Sequence, residues 1–322
     1  MSTATPPSPY PGSSRPVRTI ALLNQKGGVG KTTTTVNLAA AIAAAGRPTL
    51  LIDLDPQAHA TLHLGVDTAQ PTEGERQATV YDVLLDPAGV DPASLHQARP
   101  NLWVLPAETD LAAAETELAG EPDRNTRLRR FLDAAGDRFE FVLMDCPPSL
   151  GLLTLNALGA AREVFIPMQA HFLALQGVSK LLETVSLVSK SVNPRLRVTG
   201  IILCMHETST THSREVVADL ADFFEQARKS GQDVPYRTAR ILQPPIRRNI
   251  KLAECPSFGQ TIFDYAATCP GAADYKALAD RVVADWDTML QRRAEGGASA
   301  ATPTVPEVVV RDNAGTSAAT SA

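Results

Sequence analysis

The sequence has few aromatic residues, few cysteines and no long apolar run. Phe, Trp and Tyr together make up 5% of its 322 residues. The four cysteines form no CxxC pair and lack metal-ligand spacing, which is typical of small buried side chains in a reducing compartment. No apolar run reaches the roughly 18 residues of a membrane helix, and the N-terminus has no apolar signal core. We therefore expect a cytoplasmic protein with no membrane partner.

The chain also lacks the positive charge of a general nucleic-acid binder. It has 30 Lys and Arg against 35 Asp and Glu, a formal net charge of −5. This balance argues against a wholly basic nucleic-acid-binding protein, although it leaves room for a local basic patch. The 44% of apolar residues and 20% of charged residues are those of a globular protein that can bury a sizeable core.

The two ends of the chain have compositions that oppose folding. Residues 1–16 are rich in Pro, Ser and Thr, and residues 294–322 are mostly Gly, Ala, Ser and Thr around a short VPEVVV segment. Neither end can bury enough apolar surface to offset the entropy lost on ordering. We predict two disordered tails flanking one domain at 17–293. Whether the first tail is a linker or a partner-binding segment stays open.

Between the tails, short apolar runs alternate with helical patterns. Most of the runs are apolar on both faces, which indicates strands covered by helices on two sides. The predicted strands are 17–23, 48–53, 102–107, 139–145, 163–168, 198–205 and 237–242. The predicted helices are 31–45, 124–135, 173–191, 213–228 and 272–292. This alternation predicts one α/β domain with a doubly wound, mostly parallel sheet flanked by helices.

The clearest motif is NQKGGVGKTTTT, which spans residues 24–35 between the first strand and the first helix. Its glycines let backbone N–H groups approach phosphates, and the helix N-terminus adds partial positive charge. Lys31 is predicted to reach the β- and γ-phosphates, and the Thr32 hydroxyl to bind Mg²⁺. The predicted nucleotide-binding residues of the loop are Lys26, Gly27, Gly28, Val29, Gly30, Lys31, Thr32 and Thr33. The sequence thus predicts a P-loop NTPase fold with ATP and Mg²⁺ as cofactors.

Lys26 is a cation that the usual phosphate loop does not need. The general pattern has glycine at position 25, where this chain has Gln25. With the loop wrapped around the phosphates, Lys26 is predicted to leave from the rim and Lys31 to rise from the floor. A rim cation is placed to meet charge on another molecule, and a solvated surface lysine is the alternative.

Carboxylates follow two of the predicted strands. Asp53 and Asp55 end the run LLIDLD, and Asp145 ends the run FEFVLMD. The carboxyl ends of strands in doubly wound sheets face the ligand crevice. Asp145 is therefore predicted to hold Mg²⁺ through water, as a Walker B carboxylate does.

A basic stretch lies near the end of the domain. Residues 236–251 contain five basic side chains and no acid. They are Arg237, Arg240, Arg247, Arg248 and Lys251. No aromatic residues are interleaved with them, so contact with phosphates without sequence readout is the predicted mode. A solvated surface stretch is the alternative.

Four ordered motifs resemble one family. KGGVGKTT, DLDPQ at 53–57 and DCPPSLG at 145–151 resemble the ParA/MinD family of deviant Walker ATPases. RRNIKLAECPSFGQTI at 247–262 resembles the C-terminal signature of its ParA/Soj partition branch. The resemblance spans roughly residues 17–290.

The resemblance implies three catalytic residues, Lys26, Lys31 and Asp55. Lys26 would act across an ATP-dependent homodimer on the nucleotide of the other subunit. Asp55 would orient the attacking water, and it is also a candidate for binding Mg²⁺ through water.

The resemblance also implies roles for the basic stretch. Arg248 and Asn249 would line the adenine and ribose. Lys251 is the first candidate for DNA contact, with Arg247 and Arg214 behind it. The family usually has proline at position 247 and arginine at position 209, so Arg247 and Ser209 depart from its pattern.

The implied function is an ATP-dependent switch for chromosome or plasmid segregation. The ATP-bound dimer would bind DNA non-specifically on the nucleoid, and a ParB-like centromere-binding protein would stimulate slow hydrolysis and release it. One alternative is a related ATPase that positions a chemoreceptor cluster, a microcompartment or a division protein. A metabolic P-loop ligase or kinase is another. Membrane binding of the MinD type would need a C-terminal amphipathic helix, which the small, polar tail after Arg293 does not encode.

Overall fold

A computed structural model describes residues 16–68, 77–171, 174–207 and 211–299. The chain divides into two compact units, Met1–Val283 and Ala284–Ala322. Except for Pro16, the predicted N-terminal tail lies outside the described residues, and so do residues 300–322 of the C-terminal tail. None of the helices within the described ranges is long and apolar enough to cross a membrane.

The strands of the first unit form one sheet. They are β1 Arg18–Leu22, β2 Thr49–Asp53, β3 His96–Arg99, β4 Leu102–Leu105, β5 Phe141–Asp145, β6 Glu163–Met168, β7 Arg197–Leu203 and β8 Arg240–Ile241. The strand order is β3-β4-β2-β5-β1-β6-β7-β8. All neighbouring pairs are parallel except β3 and β4, which pair antiparallel at one edge. The predicted doubly wound, mostly parallel fold is confirmed.

Helices flank the sheet. The α-helices are α1 Lys31–Ala44, α2 His59–His63, α3 Val80–Leu85, α4 Ala114–Glu117, α5 Arg127–Ala135, α6 Leu152–Ala160, α7 Ala174–Ser191, α8 Thr211–Lys229, α9 Lys251–Glu254, α10 Ile262–Ala266 and α11 Pro270–Ser299. Short 3₁₀ helices span Pro92–Ser94, Thr109–Ala113 and Cys255–Phe258. Every residue of β1, β2 and β5 is buried, because the central strands are covered on both faces.

The strand register brings the sequence motifs together at the carboxyl ends of the central strands. Leu22 at the end of β1 lies beside Asp145, and Asp145 lies beside Asp53 at the end of β2. Because the three strands are parallel, the segments that follow them meet at their carboxyl ends. The loop before α1 and the two carboxylates therefore share one crevice.

The structure differs from the sequence prediction at several elements. The edge strand β3 was not predicted, because its sequence HQAR has no apolar alternation. The helix α6 was also not predicted, because it is buried on most sides and its sequence LLTLNALGA has no polar face. The last helix was predicted to end at residue 292, whereas α11 continues to Ser299. The predicted strand 237–242 shortens to the two residues of β8.

Candidate nucleotide-binding site

The loop before α1 has the backbone of a phosphate-binding site. Gly28 and Gly30 have φ values of 71° and 90°, a region that residues with a Cβ rarely adopt. A Cβ at Gly27 or Gly28 would meet nothing within 4 Å, so this side of the loop is open to a ligand. Gly30 is the N-cap of α1 and provides no side-chain hydrogen bond. The first N–H groups of the helix can therefore bind phosphate oxygens.

The two lysines of the loop lie in different environments. Lys31 is 8% exposed, and its Nζ donates to the backbone oxygen of Lys26 over 3.4 Å. Lys26 is exposed, and its Nζ contacts Nε2 of His171 at 2.5 Å. The backbone N–H of Lys26 donates to Oδ1 of Asn24, whose own amide is anchored on the oxygen of Pro167 at 2.8 Å. The rim of the loop is thus fixed, while the Lys26 side chain is accessible.

Asp145 is fully buried beneath the loop. Its Oδ2 accepts a hydrogen bond from Oγ1 of Thr32 at 2.7 Å, and its Oδ1 accepts one from Oγ1 of Thr35 at 2.8 Å. Burial raises the pKa of Asp145, and the neighbouring carboxylate of Asp53 raises it further. The two threonine hydroxyls and Lys31 act in the opposite direction, because they stabilise the ionised form.

These residues fit a magnesium ion. The Thr32 proton is directed to Asp145, so the lone pairs of the Thr32 oxygen stay available to a cation. Mg²⁺ is usually held by one or two protein oxygen ligands together with substrate phosphates and water. A bound cation would also favour the ionised form of the buried Asp145 carboxyl. Thr32 and Asp145 are therefore the residues that would hold it.

The two aspartates after β2 have different partners. Asp53 is fully buried, and its Oδ2 accepts from the N–H and the hydroxyl of Thr61, both at 2.8 Å. Its Oδ1 accepts from the N–H of Asp55 at 3.2 Å, so Asp53 holds the turn that leads into α2. Burial is the main cause that raises the pKa of Asp53. Asp55 is half-buried, and only its Oδ1 has a described partner, the N–H of Gln57 at 3.0 Å.

Several residues around the loop were missed by sequence reasoning. Nε2 of Gln169 donates to the oxygen of Gly28 over 3.4 Å, and a Cβ at Gly30 would lie 3.4 Å from Cβ of Cys204. The hydroxyl of Thr34 is 3.0 Å from that of Tyr275, which lies on α11. Gln169 directly follows β6, so its position at the carboxyl end of a strand was a usable signal. Tyr275 is far away in the sequence, and no local pattern indicates its contact.

The segment at 246–249 lies at the carboxyl end of β7, on the same side of the sheet as the phosphate loop. The N–H of Ile246 donates to the oxygen of Leu203 at 2.8 Å, and the N–H of His206 donates to the oxygen of Ile246 at 2.9 Å. Arg248 and Asn249 therefore follow a segment that is paired with the end of β7. The Arg248 side chain is 72% exposed, with one 3.4 Å contact to Glu207. This leaves Arg248 free to exchange that partner for a nucleotide.

The candidate DNA-binding residues differ in how firmly they are held. Lys251 is 45% exposed, and its Nζ donates to Glu254 at 2.8 Å beside the ring of Tyr265. The guanidinium of Arg247 binds both oxygens of the buried Asp274, with Nη2 at 2.7 Å from Oδ1. Arg214 is exposed on α8, a different element. Ser209 lies outside the described residues.

A second group of missed residues joins α2 to the C-terminal motif. His63 is buried, its Nε2 lies 3.5 Å from Sγ of Cys255, and burial lowers the pKa of His63 to about 4. The guanidinium of Arg99 donates to the oxygens of Leu64 and Gly259. We call this group, with Gly65, the α2 junction. It connects the segment that follows Asp55 with the segment that follows Lys251.

Known proteins match most of this chain. A family model described as an AAA domain matches residues 17–198. The chromosome-partitioning ATPase Soj of Treponema pallidum is 41% identical over 267 residues, which cover 83% of this chain and 97% of that protein. The chromosome partitioning protein ParA of Caulobacter vibrioides is 40% identical over 273 residues, 84% of this chain and 96% of that protein.

A solved structure shows the same fold with nucleotide bound. The crystal structure of cobyrinic acid a,c-diamide synthase from Mycobacterium smegmatis with ADP and magnesium is 37% identical. It matches with a TM-score of 0.67, covering 84% of this chain and 96% of its own. The phosphate loop, the hydrogen bond from Thr32 to the buried Asp145 and these matches give an ATPase with ATP and Mg²⁺ as cofactors. The chain belongs to the ParA/Soj family of chromosome-partitioning ATPases.

Proposed function

We propose that this protein is the ATP-dependent switch of a DNA-segregation system. Two ATP-bound copies form a dimer that binds DNA without sequence preference. A ParB-like partner stimulates hydrolysis, and the dimer then releases the DNA. The observation that carries the proposal is Lys26, an exposed ammonium on the rim of the loop. In the described part of the chain it has no carboxylate partner and contacts only the imidazole of His171.

The exposure of Lys26 supports a role for its cation on a second molecule. Lys31 already supplies a buried ammonium from within the loop, so the first molecule has its own phosphate-binding cation. In the proposed dimer, Lys26 of each copy contacts the phosphates bound by the other. A cation delivered in this way is worth on the order of 10³–10⁵ in rate in nucleotide hydrolases that use an arginine.

The remaining site residues divide the work within one copy. Bound Mg²⁺ would neutralise charge on the phosphates and position them for attack by water. Lys31 binds the β- and γ-phosphates, and Thr32 and Asp145 are the residues that would hold the magnesium ion, Thr32 through its hydroxyl oxygen and Asp145 through water. Asp55 orients the attacking water, because it follows the carboxyl end of β2 beside the phosphate loop and its carboxylate is only half-buried.

The proposed nucleotide and DNA contacts use the basic segment at 247–251. Arg248 and Asn249 contact the base and ribose beside the end of β7. Lys251 is preferred to Arg247 for DNA, because its partner Glu254 is itself accessible and can be exchanged for a phosphate. If the Arg247 side chain turned to DNA, the buried carboxylate of Asp274 would lose its ion-pair partner. Arg214 on α8 is the third candidate.

Two further points complete the proposal. The residues at 17–293 act as one ATPase domain, and the ATP-bound form associates with the nucleoid. A different cargo, such as a chemoreceptor cluster or a microcompartment, would use the same switch.

The name of the synthase structure makes a metabolic ligase the second candidate, and one experiment separates it from the partition switch.

The experiment measures mass and DNA binding in different nucleotide states. Analytical ultracentrifugation of the full chain should give a dimer with a non-hydrolysable ATP analogue and Mg²⁺, and a monomer with ADP. The dimer alone should sediment with plasmid DNA of any sequence. Lys26→Ala should bind ATP normally, remain monomeric and lose on the order of 10³ in partner-stimulated hydrolysis. Lys276→Ala, which removes another exposed lysine, is the matched control.

Two results would overturn the proposal. The first is a wild-type protein that stays monomeric while its nucleotide is intact. The second is a Lys26→Ala variant with normal dimerisation and turnover. ATP turnover that depends on cobyrinic acid rather than on DNA and a partner would favour the ligase.

A further inference from the structure

A cavity of about 350 Å³ lies at the amino ends of the central strands, opposite the phosphate loop. Its lining includes Val17, Phe139 and Arg162, which directly precede β1, β5 and β6 or lie within two residues of them. Arg195 precedes β7 in the same way. The phosphate loop follows the carboxyl end of β1, so this cavity and the nucleotide site are separated by the length of the strands. Its volume is in the range of small-molecule sites, roughly 300–1,000 Å³.

The lining combines apolar side chains with an excess of positive charge. Phe139 and Val142 contribute apolar surface from β5 and the residues before it. The charged lining side chains are Arg129, Asp133, Arg162 and Arg195. In a chain with a net charge of −5, a cavity with this balance of charge is a local exception.

The positive charge of the cavity is largely unneutralised. Among the residues that the structure describes, the side chains of Arg162 and Arg195 have neither an ion-pair partner nor a hydrogen-bond acceptor. Arg129 is 3.8 Å from Asp133, and both side chains are exposed, so this pair contributes little. Guanidinium groups without a carboxylate partner are available to an anion that enters the cavity.

Arginines at this place could instead serve the end of α6, because cations often stabilise the carbonyl groups of a helix C-terminus. Those carbonyls already have other donors. Nδ2 of Asn193 donates to the oxygens of Leu158 and Ala161 at 2.8 and 2.6 Å. Oγ1 of Thr19 donates to the oxygen of Ala160 at 3.2 Å. The helix end therefore does not require the guanidinium groups.

We propose that this cavity binds a small organic anion. Its oxyanion group, a phosphate, sulfonate or carboxylate, pairs with Arg162 and Arg195, whose planar forks suit such groups. Its apolar body packs against Phe139 and Val142. A concave site with an apolar floor fits a small molecule better than a nucleic-acid backbone, which requires an extended basic surface. The ligand is bound independently of ATP.

The probe for this site is anilinonaphthalene sulfonate, an apolar anion that fluoresces when it leaves water. The full chain is first saturated with a non-hydrolysable ATP analogue and Mg²⁺, so that the phosphate loop is filled. The probe should then bind with one-to-one stoichiometry, and phenyl phosphate should displace it. Arg162→Ala and Arg195→Gln should each weaken binding about tenfold, the loss of one charged hydrogen bond. Lys276→Ala, an equal change of charge on α11, should leave binding unchanged.

Three outcomes would overturn the proposal. They are equal probe binding by all four proteins, equal binding of the neutral phenyl-naphthylamine, and loss of probe binding when the phosphate loop is filled. Retained ATP affinity in Arg162→Ala and Arg195→Gln shows that each variant is folded. If one of them is unfolded, the other alone decides the result, because both residues are exposed and lie on different loops.

Discussion

The phosphate loop and the basic segment at 247–251 hold their cations in opposite ways. In the loop, Lys31 is buried above a carboxylate whose two oxygens are fixed by Thr32 and Thr35. In the basic segment, Lys251 is exposed, and its acidic partner is three residues away on the same helix. The loop side chains are placed by distant elements, whereas Lys251 is placed by its own short helix.

This difference determines what each sequence pattern can predict. A phosphate-binding loop is the one geometry that uses the glycines at 27, 28 and 30 together with the hydroxyl at 32. The motif therefore specifies the site. A run of basic residues has no such geometry. Arg247, one of the three DNA candidates, has an internal partner in Asp274, which no sequence pattern indicates.

The largest effect should come from removing the buried cation of the loop. Lys31→Ala should lower ATP affinity by on the order of 10²-fold or more, because a charge-assisted contact in a buried site is lost. Isothermal titration with the non-hydrolysable ATP analogue measures this change. Lys26→Ala is the matched control, since both are lysines of one loop and only Lys31 is buried. Equal losses of ATP affinity in the two variants would contradict the contrast between the buried Lys31 and the exposed Lys26.

An intermediate effect is expected at the α2 junction, which connects the two regions. The folded-state pKa of His63, about 4, lies below its ordinary value of 6.5 because burial disfavours the charged imidazole. The unfolded chain therefore binds more protons than the native state, and the stability contributed by His63 falls as pH drops through this window. Between pH 7 and pH 5 the loss should be about 2 kcal/mol.

His63→Gln isolates this effect. The raised pKa values of Asp53 and Asp145 act in the opposite direction, because those groups favour the native state as pH falls. The measured quantity is thus the difference between wild type and His63→Gln in urea denaturation at the two pH values. The same pH dependence in both proteins would show that His63 is not buried and neutral.

The smallest effect should come from the basic segment. Lys251→Ala should reduce the slope of log affinity for DNA against log salt concentration by about 1, the loss of one phosphate contact. Fluorescence anisotropy with a labelled duplex at several salt concentrations measures the slope. Arg247→Ala should leave the slope unchanged and lower the melting temperature, because the buried Asp274 would lose its ion-pair partner. The reverse pattern would exchange the roles of the two residues.

Much of the fold followed from alternating apolar runs. Seven of the eight strands were predicted, β8 longer than observed, because strands covered on both faces are apolar along their whole length. β3 could not be predicted in this way, since an edge strand with the sequence HQAR has little apolar surface to bury. The helix α6 was missed for the opposite reason, because it buries most of its surface and shows no polar face.

The site was predictable only where residues are adjacent in sequence. Residues 24–35, the phosphate loop and the start of α1, were recognised from one continuous motif, and Asp145 could be placed because it ends an apolar strand. Tyr275 and the α2 junction depend on packing between distant elements. Such contacts have no signature in a single sequence.

The contact between Gly65 and Gly259 in the α2 junction also limits how the site can deform. A Cβ on Gly259 would lie 2.9 Å from Cα of Gly65, so main chain already meets main chain with no side chain between. The two loops cannot approach each other further along this contact. The Gly65–Gly259 contact is therefore a mechanical stop that limits how closely the segment after Asp55 and the segment after Lys251 can approach each other.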